Sequence, residues 1–458
     1  MSKILLLACF VVLAFAQTIP DGTPRLSGGA YITTDCQNLV LGQEAPFPNG
    51  YLDEVNNYLY PNIRLLQSQR DLPGYYRRTF HFPTIGCVNA TFNVVNPLPA
   101  GISNTGIFQA GASYPLLMRF SGFNQNQQNA TGGDTKGLAL KLYNVPGTKL
   151  LPGFNNDNHH DFVFNAAPVF TPNNETVFSA LVMSQTQLGG GGNQQKAQFG
   201  VFYPLAQTRS NNEHVNNTVS TVLQMPFYAI SPFKFGLAAL PSPAVKYRVF
   251  PCNGIVGPAL NGTYGPSATY LTDDMTARLQ NSSYCFNFQV QFQKDACKQP
   301  INDFGVEWLE ADTPYITIAT INIPIQTVLT DNDNTCKHAA FNVWRVLPEH
   351  RPLGSLNRAR LFAMMNSHNQ RLSLDNVIEP VTGQIHPPFQ FWLPNEIGIN
   401  ANFTPANIKV NFPANPVLYT GGPSSVVYTT QTASTKTGSA SVVASSFLVL
   451  LALLALVF

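Results

Sequence analysis

Apolar and polar residues alternate in short segments along most of the chain. Ala90–Val95, Leu116–Phe120, Gly137–Tyr143, Phe162–Phe164, Val245–Val249, Phe286–Phe292 and Ile316–Ile323 carry this two-residue period, which sends successive side chains to opposite faces of a strand. Clusters of Gly, Pro and Asn separate these segments, as turns require. The pattern predicts an antiparallel, barrel-like or sandwich-like β core with helices around it, an α+β fold class. A helical period occurs twice. Tyr51 to Arg70 repeats Leu52, Val55, Leu59, Ile63 and Leu66, with Pro61 placed to kink or split the helix. Ser355–Leu372 is the second helix, with Ser355 as a candidate N-cap. Residues 122–134 and the run around Gly189–Gly192 read as loops.

The pattern changes at both ends. Residues 1–16 carry one Lys, an apolar run and Ala14-Phe-Ala16, the form of a secretory signal peptide cleaved before Gln17. Residues 447–458 contain no polar side chain, and a small, polar stretch precedes them. That order fits a GPI attachment signal, with Ala433–Thr435 or Gly438–Ala440 as the anchor site; a short tail anchor is the alternative. The expected organisation is a signal peptide (1–16), an N-terminal arm with a helix (17–75), a core domain (76–375), a C-terminal extension (376–420), a Ser/Thr-rich stalk (421–446) and an apolar tail (447–458). The folded part is expected to leave through the secretory pathway and to sit at the extracellular face of the plasma membrane, GPI-anchored, or to be secreted.

Composition supports that location. Six cysteines follow the signal (Cys36, Cys87, Cys252, Cys285, Cys297 and Cys336), enough for up to three disulfides among fifteen connectivities. Sequons at Asn89, Asn129, Asn174, Asn216, Asn261, Asn281 and Asn402 predict a glycoprotein. Only 11% of the 458 residues are charged, against roughly 25% in an average domain. With 26 basic and 24 acidic residues, no basic excess is available to grip a phosphate backbone, so no nucleic-acid partner is expected.

The chemistry lies in local strings. Arg78-Thr-Phe-His81 is followed by Met118-Arg119-Phe-Ser121, then Lys136-Gly-Leu-Ala-Leu-Lys, then Asp161-Phe-Val-Phe-Asn165-Ala-Ala-Pro168, with Phe178 beyond. Ala244-Val-Lys-Tyr-Arg248 and Asn302-Asp-Phe-Gly-Val-Glu-Trp308 come later, and His350-Arg-Pro-Leu-Gly-Ser-Leu-Asn-Arg358-Ala-Arg360 opens the late helix. Taken singly, these residues have ordinary readings. His81 would be structural, Asn165 a turn residue and Phe178 core. Arg119 is the exception, because a charge in an apolar strand needs a buried anion or partner. In this order and spacing, over about residues 70–375, the strings resemble the heme catalase superfamily, most nearly its catalase-related, peroxidase-like branch.

The resemblance implies a catalase-like barrel and a heme b cofactor. It implies hydrogen peroxide or an organic hydroperoxide as substrate, and association into a homo-oligomer. His81 matches the distal histidine that moves the peroxide proton. Asn165 matches the distal hydrogen-bond donor, and Ser121 the residue that orients the histidine. Phe178 matches an aromatic beside the porphyrin. Arg78, Arg119 and Arg371 match arginines that pair with heme propionates. Arg78 and His81 are an odd number apart, so a regular strand would face them oppositely. A shared pocket therefore requires irregular backbone there.

One position departs from the pattern. The family's iron ligand is a tyrosine lying four residues after one arginine and seven before another. Here Arg360 and Arg371 hold those places and Met364 holds the tyrosine's. Offsets of four and eleven fall within about 40° on a helix, so the three share one face. A neutral, soft thioether in place of an anionic phenolate favours reduced iron, and Arg360 loses its expected partner. Met364, Met365, His368 or water could stand below an iron, or Met364 could pack as core. The leading expectation is an extracellular heme oxidoreductase with reduced catalase turnover. The alternatives are a non-enzymatic surface glycoprotein on the same scaffold and an unrelated barrel carrying an apolar ligand.

Overall fold

The computed structural model describes residues 41, 42, 44, 78–122, 135–151, 154, 156–170, 178, 221–238, 244–253 and 269–375. The signal peptide, the helix expected at Tyr51–Arg70, the two expected loops, the stalk and the apolar tail lie outside these residues. Eight strands among them close into a barrel: β1 (Thr84–Val94), β2 (Ser113–Ser121), β3 (Gly137–Leu142), β4 (His160–Asn165), β5 (Phe227–Tyr228), β6 (Val245–Pro251), β7 (Tyr284–Phe292) and β8 (Ile316–Ile323). Every neighbour pair is antiparallel, and β1 pairs with β8 to close the ring. Among the described residues three α-helices accompany them: α1 (Tyr270–Leu279), α2 (Asn334–His338) and α3 (Ser355–Asp375). The expected barrel core is present, and the helix expected at Ser355–Leu372 is α3, three residues longer. It takes in Ser355 as its first residue. Before it stands Gly354, with φ +86, where a Cβ would lie 2.4 Å from the Ile301 carbonyl oxygen. Only glycine fits that approach.

The two-residue period decides what is inside. Val88, Ala90 and Phe92 on β1, Leu116, Met118 and Phe120 on β2, Leu138 and Leu140 on β3, and Phe162 and Phe164 on β4 form one buried cluster with Tyr247 and Phe288. Aromatic rings pack closely there: Phe92 meets Phe288 edge to face at 5.1 Å, and Phe162 lies tilted against it at 5.0 Å. A buried Phe contributes roughly 1.5–3 kcal/mol, and the filled interior of such a barrel is a core rather than a ligand cavity. This argues against the apolar-carrier reading.

Disulfides tie outlying segments to the barrel. Cys87 on β1 bonds Cys336 in α2, and Cys252 bonds Cys285 on β7. Cys297 is also disulfide-bonded. Of the sequon asparagines, Asn89 and Asn281 are exposed and the other five lie outside the described residues.

Candidate active site

Strand register assembles the site in rows. Ser121 pairs with Gly137, which pairs with Asn165; the next row is Arg119, Ala139 and Val163; the third is Leu117, Lys141 and Asp161. The alternate residues fill the barrel, so these nine share its outer face. The first row carries the expected distal residues. His81 sits over it. A Cβ on Gly137 would lie 2.6 Å from His81 Nδ1 and 3.0 Å from Ser121 Oγ, so the glycine makes room for both. The Asn165 side chain lies close enough to His81 to favour the protonated ring. His81, Ser121 and Asn165, predicted from separate strings, are thus brought together around a glycine that sequence reasoning did not single out.

The irregular backbone required before β1 is present. His81 has φ 51, an uncommon left-handed conformation for a non-glycine residue, and the β1–β2 register shifts between Thr84 and Gly86. Arg119 holds this segment. Its Nη2 donates to the carbonyls of His81 (3.0 Å) and Phe82 (3.3 Å) and to Thr84 Oγ1 (2.8 Å). Arg78 donates to the carbonyls of Cys336, Lys337 and Ala339 at the end of α2. The resemblance implies heme propionates as partners of both arginines; here their described partners are backbone carbonyls and, for Arg119, the Thr84 hydroxyl as well. Arg371 lies on α3, but its side chain is outside the described residues. Phe178 is buried, 5.8 Å from the Phe80 ring and 6.4 Å from Phe170, beside the His81 segment.

The α3 side faces this wall. Thr79 Oγ1 donates to Ser367 Oγ at 2.6 Å, which joins the His81 segment directly to the helix. Trp344 Nε1 donates to the Asn357 carbonyl at 2.7 Å. Met364 is partly buried and packs, with Val163 of the second row, on a cluster of Leu151, Phe154, Val343, Trp344, Leu361 and Met365. Met365 is the more deeply buried of the two methionines. His368, one turn beyond Met364, is also buried. Arg360, one turn before Met364, is buried; its Nη1 donates to Ser231 Oγ (3.1 Å) and Asn357 Oδ1 (3.2 Å).

Burial comes first in the electrostatics, and neighbouring cations add to it. Burial, then Arg119, push the His81 imidazole down to about 3; Asn165 opposes, while Arg360 and Lys136 add to the fall. His81 is therefore neutral at physiological pH and free to accept a proton. Burial lowers Arg360 to about 9, which leaves it charged at neutral pH. In the third row, Lys141 Nζ donates to Asp161 Oδ1 at 2.7 Å, and the Asn342 N–H donates to Asp161 Oδ2. Arg345 lies 3.3 Å from Asp157 and 3.6 Å from Asp161. This network clamps residues 339–345 to the wall. Its signal in the sequence was Lys141, a charge within Gly137-Leu-Ala-Leu-Lys-Leu.

Comparison with solved structures finds catalases. Catalase A from Saccharomyces cerevisiae is 19% identical, covers 91% of this chain and 82% of its own, and gives a TM-score of 0.53. A fungal catalase is 18% identical, with 92% and 82% covered and a TM-score of 0.53. A bacterial catalase is 17% identical, with 78% and 67% covered and a TM-score of 0.53. The chain therefore has a catalase-like fold. No protein-family model and no curated protein sequence matches it.

Proposed function

We propose that this protein is a catalase-like heme oxidoreductase acting on hydrogen peroxide or an organic hydroperoxide, with catalase turnover lowered by Met364. The observation that carries the reading is the close grouping of His81 with Ser121 over Gly137, with Asn165 beside them, on the outer wall of a catalase-like barrel. These residues fit a porphyrin on the barrel side, where they form a polar centre flanked by Phe178. On the helix side the matching position offers the neutral thioether of Met364 instead of an anionic oxygen. Bound heme would supply an iron centre able to take oxidising equivalents from peroxide.

The chain's own part follows from its geometry. His81 is held neutral, so its imidazole can take a proton from the peroxide and return it to the departing oxygen. Asn165 presents an amide that fixes the developing charge on the peroxide oxygen. Ser121 and Gly137 set the ring's position, and Arg119 fixes its backbone. Phe178 and Phe80 exclude water from that side. Secretion, glycosylation and a lipid anchor belong to the same proposal, which places the activity outside the cell; association of several copies is part of it too.

The test is the absorption spectrum of secreted protein produced with heme supplied. A Soret band at stoichiometric heme is expected. His81→Ala should lower peroxide turnover by at least about 10²-fold, the usual worth of a positioned acid–base group. Met364→Tyr should raise it at least on the order of tenfold, the scale that even outer-shell changes at a metal produce. Folded protein without heme would overturn the proposal. It would favour a second reading, a non-enzymatic scaffold, which has support of its own. Arg78 and Arg119 are engaged with backbone carbonyls, and Met364 packs on an apolar cluster.

A further inference from the structure

We propose that Arg360 anchors a buried site for a small monovalent anion of the halide, nitrate or formate class, between α3 and the outer barrel wall. The inference does not require heme. Arg360 is 7% exposed. A guanidinium carries five N–H donors and remains protonated, yet the described hydrogen bonds of Arg360 come from Nη1 alone and reach the neutral oxygens of Ser231 and Asn357. Those acceptors are themselves committed. Ser231 Oγ donates to Asn357 Oδ1 at 2.9 Å, and Asn357 Nδ2 donates to the carbonyls of Pro232 and Leu353. The group around Nη1 is thus closed and neutral, and no described hydrogen bond uses Nε or Nη2.

No described carboxylate pairs with Arg360. The buried acids of the wall, Asp157 and Asp161, are engaged with Arg345 and Lys141. The charges that bear on His81 are Arg119, Arg360 and Lys136, all positive. A buried cation without a counter-charge costs several kcal/mol, and an anion entering beside it recovers much of that. The enclosed setting favours a small, weakly hydrated, singly charged ion, because a dianion would bring a larger desolvation cost of its own. An anion there would also screen His81 from Arg360, so occupancy would make the distal imidazole more basic.

The experiment measures the thermal midpoint of the secreted protein against sodium nitrate from 0 to 100 mM, with ionic strength held constant by sodium gluconate. A saturable rise of about 3 °C is expected for a site filled well above its dissociation constant. General salt effects of nitrate run the other way and do not saturate. Arg360→Leu should abolish the rise. Met364→Tyr, which puts an ionisable oxygen one helical turn from the guanidinium, should abolish it as well and start from a higher midpoint. Absence of a saturable rise in the unaltered protein, or an undiminished rise in Arg360→Leu, would overturn the proposal. Should either variant not fold, crystals of the unaltered protein grown in sodium bromide decide the matter. An anomalous peak within hydrogen-bonding distance of Arg360 supports the site, and none refutes it. The Soret band, read on the same samples, reports the heme proposal separately.

Discussion

Acid should destabilise this protein through two histidines inside its barrel. His160 on β4 and His350 are wholly buried, with rings edge to face and centroids 5.4 Å apart. His350 Nε2 accepts the Ile107 N–H at 3.2 Å, and its Nδ1 lies 3.3 Å from the Tyr247 hydroxyl. His160 packs on Phe162 and, among the described residues, has no hydrogen-bond partner at either ring nitrogen. Burial pushes His350 down to about 3. Burial, then the charges of His350, Lys149 and Lys141, hold His160 well below its ordinary value. Both rings are neutral in the fold, while the unfolded chain protonates them near 6.5. Below pH 6.5 the unfolded state therefore binds more protons, and stability falls as pH falls. The stabilising contribution is complete above that value and is lost on acidification towards the folded pKa.

For His350 alone the loss at pH 5 is about 1.5 units at 1.36 kcal/mol per unit, or about 2 kcal/mol. His160 acts in the same direction. Against a total of roughly 5–15 kcal/mol, that is a large share. The decisive perturbation is His160→Leu, which keeps the volume and removes one proton site with no described hydrogen bond lost. Urea unfolding at constant ionic strength, between pH 8 and pH 5, should show a shallower pH slope in the variant by up to one proton, about 1.4 kcal/mol per pH unit. Stability at pH 8 should stay within about 1 kcal/mol of the unaltered protein. The window stops at pH 5 because burial raises the folded pKa of Asp161, which then acts with the opposite sign. Parallel pH curves for the two proteins would refute the reasoning.

Two further outcomes follow from particular contacts. Gly137→Ala would place a methyl 2.6 Å from His81 Nδ1; it should leave the barrel folded while lowering any peroxide turnover at least tenfold, checked by comparing rates at matched circular dichroism. Cys336→Ser removes the link to Cys87 across 249 residues of chain and should cost about 2–5 kcal/mol in urea unfolding, with residues 334–345 the first to exchange amide protons.

Much of the barrel was legible because alternation is a local property. The span read for β8, Ile316–Ile323, is the observed strand. β1 was read six residues short, since the shift between Thr84 and Gly86 breaks its period. β5 is two residues long and carries no period at all. α1 escaped notice because its buried residues, Tyr270, Leu271, Met275 and Leu279, make an uneven stripe. At the site, the strings located His81, Ser121 and Asn165 and the helix face that carries Arg360 and Met364. They did not reveal where the arginines point. Arg119 and Arg78 meet carbonyls supplied by His81, Phe82 and the end of α2, and which carbonyl lies across from a guanidinium is settled only when distant segments pack.

Those carbonyls bear on the scarcity of charge. Among the described residues ten basic side chains are buried (Arg119, Lys136, Lys141, Lys149, Lys246, Arg248, Arg345, Arg351, Arg358 and Arg360), while of the acids Asp157 and Asp161 alone are. Ion pairing among buried groups cannot satisfy such a set. The backbone takes the place of the missing acids: Lys149 donates to the carbonyls of Val145 and Gly147, and Arg119 to those of His81 and Phe82. A carbonyl offers only partial negative charge, so each such cation keeps a residual positive field, and the field is strongest where several converge. One place where they converge is His81, which feels Arg119, Arg360 and Lys136 together. Burial and the same deficit of acids thus keep the His81 imidazole neutral, and on our proposal they leave the wall near Arg360 attractive to an anion. Introducing one carboxylate or phenolate near Arg360 should therefore move both properties at once.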